Sequence, residues 1–418
     1  MKNKLIFLQI RRHYGELDWL FPLLYRLHKK KFRIFTYFDE VNAFSNLKKN
    51  TELYKMWRKI CSDYYIQKKT DRFFFRIILK LLVILNKVLE LTIIQNILIF
   101  FSVKVFDLKQ ILKNYDIENF DLYFVSNNNY SNLFRLFKDK KKSLKIIRFP
   151  TSQHVRYFNN KNHNFQKGQR IFYGDYYLFR YIDEAKMYFG NQKFNFKEVI
   201  FSGNMKYETW WVNKLFKKKI INKSKKKNIF FATRDFFSQQ QNINDKANRL
   251  TSKSFNYMIN STMKLTRKFK NIRFIFKTHP SNKEYYPLIN ILKNYRVSSW
   301  KIEHNHVASI IQKCEFGIVM LSSACLDIIS MKKPCLEFWI NNEDNFGLIK
   351  KNKKYLTTYQ LNNLVKNVNS YDELLKMFKI LNKKKNYNSI LAEQYSNFVK
   401  VNKLEKYSSR KTLYQILN

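Results

Sequence analysis

Two short apolar runs in this chain stop at residues that can handle negative charge. Phe274-Ile275-Phe276 leads into Lys277-Thr278-His279-Pro280, and Gly317-Ile318-Val319-Met320-Leu321 leads into Ser322-Ser323. A lysine and a histidine two apart leave an extended chain on the same side, and Pro280 ends the strand. Together they can grip phosphate oxygens or balance the charge that builds on a departing group. The twin serines suit the first turn of a helix, where hydroxyls satisfy orphan amides. The amides and dipole of such a turn also bind anions. Asp327 follows one turn in, where it can accept hydrogen bonds from ribose or polyol hydroxyls. Each tip has a plainer reading, a loop-capping histidine or an ordinary N-cap. Because ligands of open parallel sheets sit just beyond the carboxyl ends of strands, the two tips together favour a bound diphosphate.

The elements that must position these tips alternate. A strand over 4–10, a polar turn over 11–18, an apolar-faced helix over 19–30 and a strand over 32–38 open a doubly wound α/β unit. Further strands are expected at 122–125, 145–149, 177–179 and 199–201. A second set begins with a strand at 228–232 followed by Thr233-Arg234-Asp235. It continues with a helix over 252–269, the strand ending at Lys277, and a helix over 286–295. The strand over 317–321, a helix over 323–331 and a strand over 334–339 complete it. The chain is helical from Tyr371 onward. Two βαβ-rich halves result, joined between Gly203 and Lys227, and no repeat at solenoid spacing is present.

Composition agrees with two packed domains. The chain has 418 residues, 45% hydrophobic and 17% aromatic, with only Gly 7 and Pro 5. That is too long for one ordinary core and too aromatic for disorder. The formal charge is +48. Lysines fall in scattered runs such as Lys29-Lys30-Lys31, Lys140-Lys141-Lys142 and Lys225-Lys226-Lys227, without a basic tail or a recognisable nucleic-acid module. This argues against nucleic acid and for compositional bias combined with an anionic membrane face. The segment 73–106 is strongly apolar but interrupted by Arg76, Lys80, Lys87, Glu90 and Lys104. Its longest uncharged piece, 91–103, falls short of the roughly 20 residues of a spanning helix. It reads as buried amphipathic helices or as a helix lying in a membrane plane. The amino terminus lacks a signal-peptide core, so a cytoplasmic location is expected. Four cysteines show no CxxC spacing, and three of them, in apolar segments, read as reduced core residues. His304 and His306 read as surface residues, and Trp210-Trp211 as packing at the joint.

The Lys-x-His-Pro tip, the Ser-Ser helix start with its acidic residue, and Lys333-Pro334 before a strand resemble the donor-binding half of B-type (two-Rossmann) glycosyltransferases. The similarity is to the surface-polysaccharide branch, which includes CDP-glycerol glycerophosphotransferases and capsule transferases. Gly203-Asn204-Met205-Lys206-Tyr207 resembles the Gly-Asn-Pro-Lys-Tyr-Asp joint of that family, departing from it at Met205 and Glu208. The resemblance implies an α/β fold with two Rossmann-like domains facing a cleft. The amino-terminal acceptor domain would cover 1–204 with an insertion near 73–106. The donor domain would cover 205–390, and a terminal helix over 391–418 would fold back on the first domain. It implies that Lys277, His279, Ser322 and Ser323 hold the donor phosphates and that Asp327 touches the ribose or a donor hydroxyl. Arg234, otherwise a cationic loop residue, would add charge to the same place. No bound metal or cofactor is implied, since the nucleotide donor is a substrate, and the chain contains no Asp-x-Asp motif. A general base is expected from the first half. His154 follows a strand where the family carries His-Gly-Thr, a motif missing here. His13, oriented by Glu16 or Asp18, is the alternative, since an imidazole near neutrality can take the acceptor's proton.

The expected function is transfer from a nucleotide-linked sugar or polyol donor to a surface glycan or lipid-linked acceptor at the inner leaflet. Two alternatives stay open. One is a nucleotide-sugar 2-epimerase of the same fold. The other is a basic nucleic-acid-binding protein.

Overall fold

The structure is a computed structural model. It describes residues 4–11, 15–67, 107–113, 115–127, 133–150, 173–189, 198–215, 226–234, 252–279, 285–340, 348–351, 354–404 and 406–418, with 77, 78, 80–82, 84, 85 and 97. The chain divides into two units. The first is Met1–Ser152, Asn164–Lys206 and Lys406–Asn418, and the second is Gln153–His163 and Tyr207–Glu405.

Seven parallel strands form the sheet of the first unit: β1 Leu5–Ile10, β2 Arg33–Phe38, β3 Cys61–Ile66, β4 Phe120–Ser126, β5 Lys145–Phe149, β6 Tyr176–Phe179 and β7 Val199–Phe201. Their spatial order is β3-β2-β1-β4-β5-β6-β7. All six residues of β1 are buried, as a parallel strand covered on both faces requires. The helix Gly15–Lys29 carries Glu16 and Asp18 in its first turn and Arg26, His28 and Lys29 in its last, matching its dipole. Glu16 and Asp18 are themselves buried.

The terminal stretch expected as one helix over 391–418 is two. Lys384–Asn402 belongs to the second unit, and a left-handed Lys403 (φ 47°) ends it. Ser408 caps the separate helix Ser409–Leu417, accepting from Lys411 N at 3.3 Å. That last helix returns to the first unit. Arg26 Nε donates to Ser409 Oγ at 2.7 Å, and Lys145 Nζ donates to Ile416 O at 3.1 Å. Gly203 has φ 63°, and a Cβ there would sit 2.7 Å from Tyr407 Cβ. Glycine is what lets the returning chain lie against the 203–206 turn.

The second unit is built from β8 Lys227–Ala232, β9 Ile272–Lys277, β10 Trp300–Ile302, β11 Cys314–Val319, β12 Cys335–Phe338 and β15 Lys366–Val368. β13 Leu348–Lys351 and β14 Lys354–Thr357 form an antiparallel ribbon beside them. The six-stranded sheet is parallel, in the order β10-β9-β8-β11-β12-β15. Its core runs through Phe230, Phe231, Phe274, Phe276, Ile318 and Leu336, all at most slightly exposed. Burying side chains of this size contributes about 1.5–3 kcal/mol each. The strand expected over 317–321 ends at Val319, two residues early, because Leu321 turns left-handed at φ 39°.

Candidate nucleotide-binding site

In each sheet the strand order reverses once, between β1 and β4 in the first unit and between β8 and β11 in the second. Such switch points are where open α/β sheets bind ligands. The second switch point carries Arg234 on one side and Ser322-Ser323 on the other.

Backbone register brings the predicted tips to one level. Ala232 pairs with Lys277 across β8–β9, and Val319 pairs with Ala232 across β11–β8. The Lys277 and Ser322 tips therefore flank β8 on the same edge, two strand spacings or roughly 10 Å apart. Hydrogen bonds hold the edge together. Thr233 donates to Lys277 O through both its amide (3.0 Å) and its hydroxyl (3.2 Å). Met320 N donates to Ala232 O at 3.1 Å. Arg234 Nη1 donates to Leu321 O, so the guanidinium lies across the end of β11.

The individual side chains differ in detail from the expectation. Lys277 is buried, and its ammonium donates to His304 O at 3.0 Å, tying β9 to the loop after β10. His279, two residues on, is exposed. Ser322 and Ser323 are both half-buried. Ser322 Oγ accepts from Ala324 N at 3.3 Å, whereas Ser323, in the cap position of helix Ala324–Ser330, makes no capping bond. The helix Ala324–Ser330 lies close against β11 at Gly317, where a Cβ would meet Ile328 Cδ1 at 2.5 Å. Asp327 is buried, and its Oδ1 accepts from Tyr207 OH at 3.2 Å. Tyr207 was quoted above for the joint motif but given no partner; its proximity to Asp327 lies in the fold.

A second residue escaped the sequence reading. Glu337, in β12, is completely buried. Thr357 Oγ1 donates to its Oε2 at 2.5 Å, while Oε1 has no hydrogen-bond partner. Burial pushes this carboxyl up to about 7, against the pull of Thr357, Gln360 and the Arg234 charge. Gln360's own amide nitrogen is committed to Asn367 Oδ1 at 2.7 Å. A lone Glu between Leu336 and Phe338 in an otherwise apolar strand was the readable signal.

In the first unit, Glu16 Oε2 accepts from Arg11 N at 2.9 Å, closing the loop after β1. Asp18 Oδ2 pairs with Lys206 Nζ at 2.9 Å, each side chain about one-tenth exposed. His13 and His154 lie outside the described residues. His306 is buried rather than at the surface, and its Nδ1 accepts from Ala308 N at 3.1 Å as a helix cap. His304 is exposed, as expected. Trp211 is fully buried, and Trp210 packs edge-on against it. Among the described residues no group of three or more His, Cys, Asp or Glu could hold a metal ion. Cys314, Cys325 and Cys335 are buried free thiols.

No family model and no curated protein matches this sequence. Solved structures do match. A UDP-GlcNAc 2-epimerase from Neisseria meningitidis, bound to UDP-GlcNAc, superposes at TM-score 0.53 and 12% identity, covering 99% of this chain and 99% of that one. S. aureus MnaA in a UDP co-structure gives TM-score 0.52 and 11% identity, covering 99% and 95%. At such identities the likeness is one of fold, and this chain has the two-Rossmann fold of the B-type glycosyltransferases.

Proposed function

We propose that this chain is an enzyme that moves a group from a nucleotide-activated sugar or polyol donor to a surface-glycan or lipid-linked acceptor. The observation that carries this reading is the convergence of Arg234, Lys277, His279 and Ser322 on one edge, at the strand-order reversal of the second unit. Cations and a hydroxyl gathered there suit a diphosphate. In the reaction, the acceptor hydroxyl gives its proton to His13 or His154 and its oxygen bonds to the donor's activated carbon or phosphorus. The bond to the nucleotide breaks, and the nucleotide leaves with the electron pair. Arg234, Lys277 and His279 balance that charge, Ser322 and Ser323 contribute hydroxyls, and Asp327 accepts from a ribose or donor hydroxyl.

The lipid-linked acceptor fits a further feature. Four helical residues, Ile77, Leu81, Ile84 and Leu85, have exposed side chains (42%, 56%, 60% and 46%). Their spacing of four, three and one puts them on one stripe, with exposed Lys80 nearby. No helix among the described residues is long and apolar enough to cross a membrane. An in-plane helix with its apolar stripe in lipid, on a strongly cationic protein, would hold the enzyme against the anionic inner face, and the exposed stripe supports that reading.

A 2-epimerase of the same fold draws equal support, because the solved structures that match include UDP-GlcNAc 2-epimerases. Incubation with UDP-GlcNAc alone separates the two. An epimerase inverts one sugar stereocentre without an acceptor, whereas a transferase turns over only when an acceptor hydroxyl is supplied. Product by chromatography without acceptor contradicts the transferase reading. Co-sedimentation with anionic vesicles tests the membrane face, and Leu81→Glu with Ile84→Glu abolishes it if the stripe is the anchor.

A further inference from the structure

We propose that Glu337 is a positioning residue for the donor phosphates, acting through Arg234: from its place in β12 it competes with them for the guanidinium. This rests on the donor-site reading above and adds a residue to it. The geometry is local to the second unit. β11 lies between β8 and β12, and Arg234 reaches from the end of β8 to the Leu321 carbonyl at the end of β11. Glu337 pairs with Val319, so its backbone lies one strand over from β11 and two residues short of the level of Leu321. Burial raises the Glu337 carboxyl, Thr357 and Gln360 lower it, and the Arg234 charge lowers it further. Thr357 fills Oε2 and the Gln360 side chain also favours the charged carboxyl, while the buried Oε1 makes no well-formed hydrogen bond. A buried carboxylate oxygen with no donor is costly. A cation or a proton at that oxygen relieves the cost.

Among the described residues, the other titratable groups that act on Glu337 or feel its charge lie on three elements. Cys335 lies on its own strand, Cys325 and Asp327 on the helix behind it, and Tyr359 on helix Thr358–Leu361. Burial pushes both thiols and the phenol well above their ordinary values, so they stay neutral across the physiological range. Asp327 takes the Tyr207 hydroxyl. Glu337 and Arg234 are thus the pair whose balance changes near neutrality. When Glu337 is ionised, it draws the guanidinium charge inward. When a diphosphate arrives, like-charge repulsion favours the protonated carboxyl, and Arg234's charge is presented to the phosphates. Donor binding then takes up a proton, and affinity falls as pH rises through neutrality.

A purely structural Glu337, serving only as acceptor for Thr357, would be replaced without loss by glutamine, whose carbonyl accepts the same hydroxyl. Calorimetric titration with UDP-glucose and CDP-glycerol at about pH 6 and about pH 8 distinguishes the two, since neither probe's diphosphate titrates in that span. For whichever probe binds, the wild-type Kd weakens several-fold between those pH values, up to the roughly tenfold limit of one linked proton. In the H279A background, which removes the imidazole's own titration from the donor site, adding E337Q leaves the Kd flat and equal to that of H279A at the lower pH. A slope of H279A that is retained when E337Q is added overturns the proposal. Binding of neither probe at any pH overturns the donor site itself, and Glu337's role with it. Should E337Q fail to fold, proton uptake is read in H279A, in two buffers of different ionisation enthalpy at about pH 7. Uptake of roughly half a proton sustains the proposal, and none overturns it.

Discussion

The two switch points of this chain share a topology and differ in chemistry. Beside the β1–β4 reversal, three described polar groups are bonded in series. Tyr123 OH donates to Gln9 Oε1 at 2.5 Å, and Gln9 Nε2 donates to Asp39 Oδ1 at 2.7 Å. Glu16 closes the following loop on the Arg11 amide. At the β8–β11 reversal the polar groups are instead cations and hydroxyls gathered at the strand ends. One frame thus supplies a bonded Tyr123–Gln9–Asp39 relay in the first unit and a cationic edge in the second. Both units share the frame, so the residues at the strand ends are what favour the second unit as the proposed nucleotide site.

The sharpest break of that contrast comes from packing. Gly317→Val drives a branched side chain into Ile328 and costs about 3 kcal/mol in denaturant unfolding. It also lifts the Ser322 turn, so nucleotide binding is lost even under conditions where the protein is folded. Arg234→Ala comes next. It removes a charge-assisted contact and weakens donor affinity by about 2–3 kcal/mol, read as Kd, with far-UV circular dichroism unchanged.

The pH behaviour sharpens the same contrast. Glu337's folded value of about 7 lies above its ordinary 4.5. The native state therefore holds this proton more tightly than the unfolded chain. Below the unfolded value both states are protonated and the group is neutral to stability. As pH rises from there to about 7, stability falls by up to about 3 kcal/mol from this residue. E337Q removes that slope, so its melting temperature exceeds the wild type's above neutrality and converges with it in acid. A variant that keeps the wild-type slope would assign the loss to other groups. The smallest effects are expected from Tyr207→Phe, which removes one hydrogen bond to Asp327 and costs about 1 kcal/mol, and from Glu16→Gln. The latter lowers melting slightly while leaving nucleotide Kd within about twofold. A larger Kd effect from Glu16 would erase the distinction between the two units.

The central strands β1, β5 and β8 were legible because burial on both faces makes them continuous apolar runs, and each falls within a residue of its expected bounds. Edge and short strands were not, β7 Val199–Phe201 excepted. β3 reads Cys-Ser-Asp-Tyr-Tyr-Ile and is half exposed, so it carries no apolar run. β10 and β15 are three residues each. Of the site, Lys277, Arg234 and Ser322 were readable because a strand that stops at a charge or hydroxyl marks its own end. Tyr207–Asp327 was not, since 120 residues separate the partners. The partner of Lys277 was equally hidden, because a backbone carbonyl leaves no trace in residue type. The candidate bases His13 and His154 stand as sequence expectations.

The most direct measurement is the thermal shift of wild type and Arg234→Ala with CDP-, CMP-, UDP- and GDP-linked donors. At least one donor should raise the wild-type melting temperature, by mass action on the folded state, and none should move the variant to the same extent. A wild type that answers to no nucleotide, or a variant that answers equally, contradicts the assignment of the β8–β9–β11 edge.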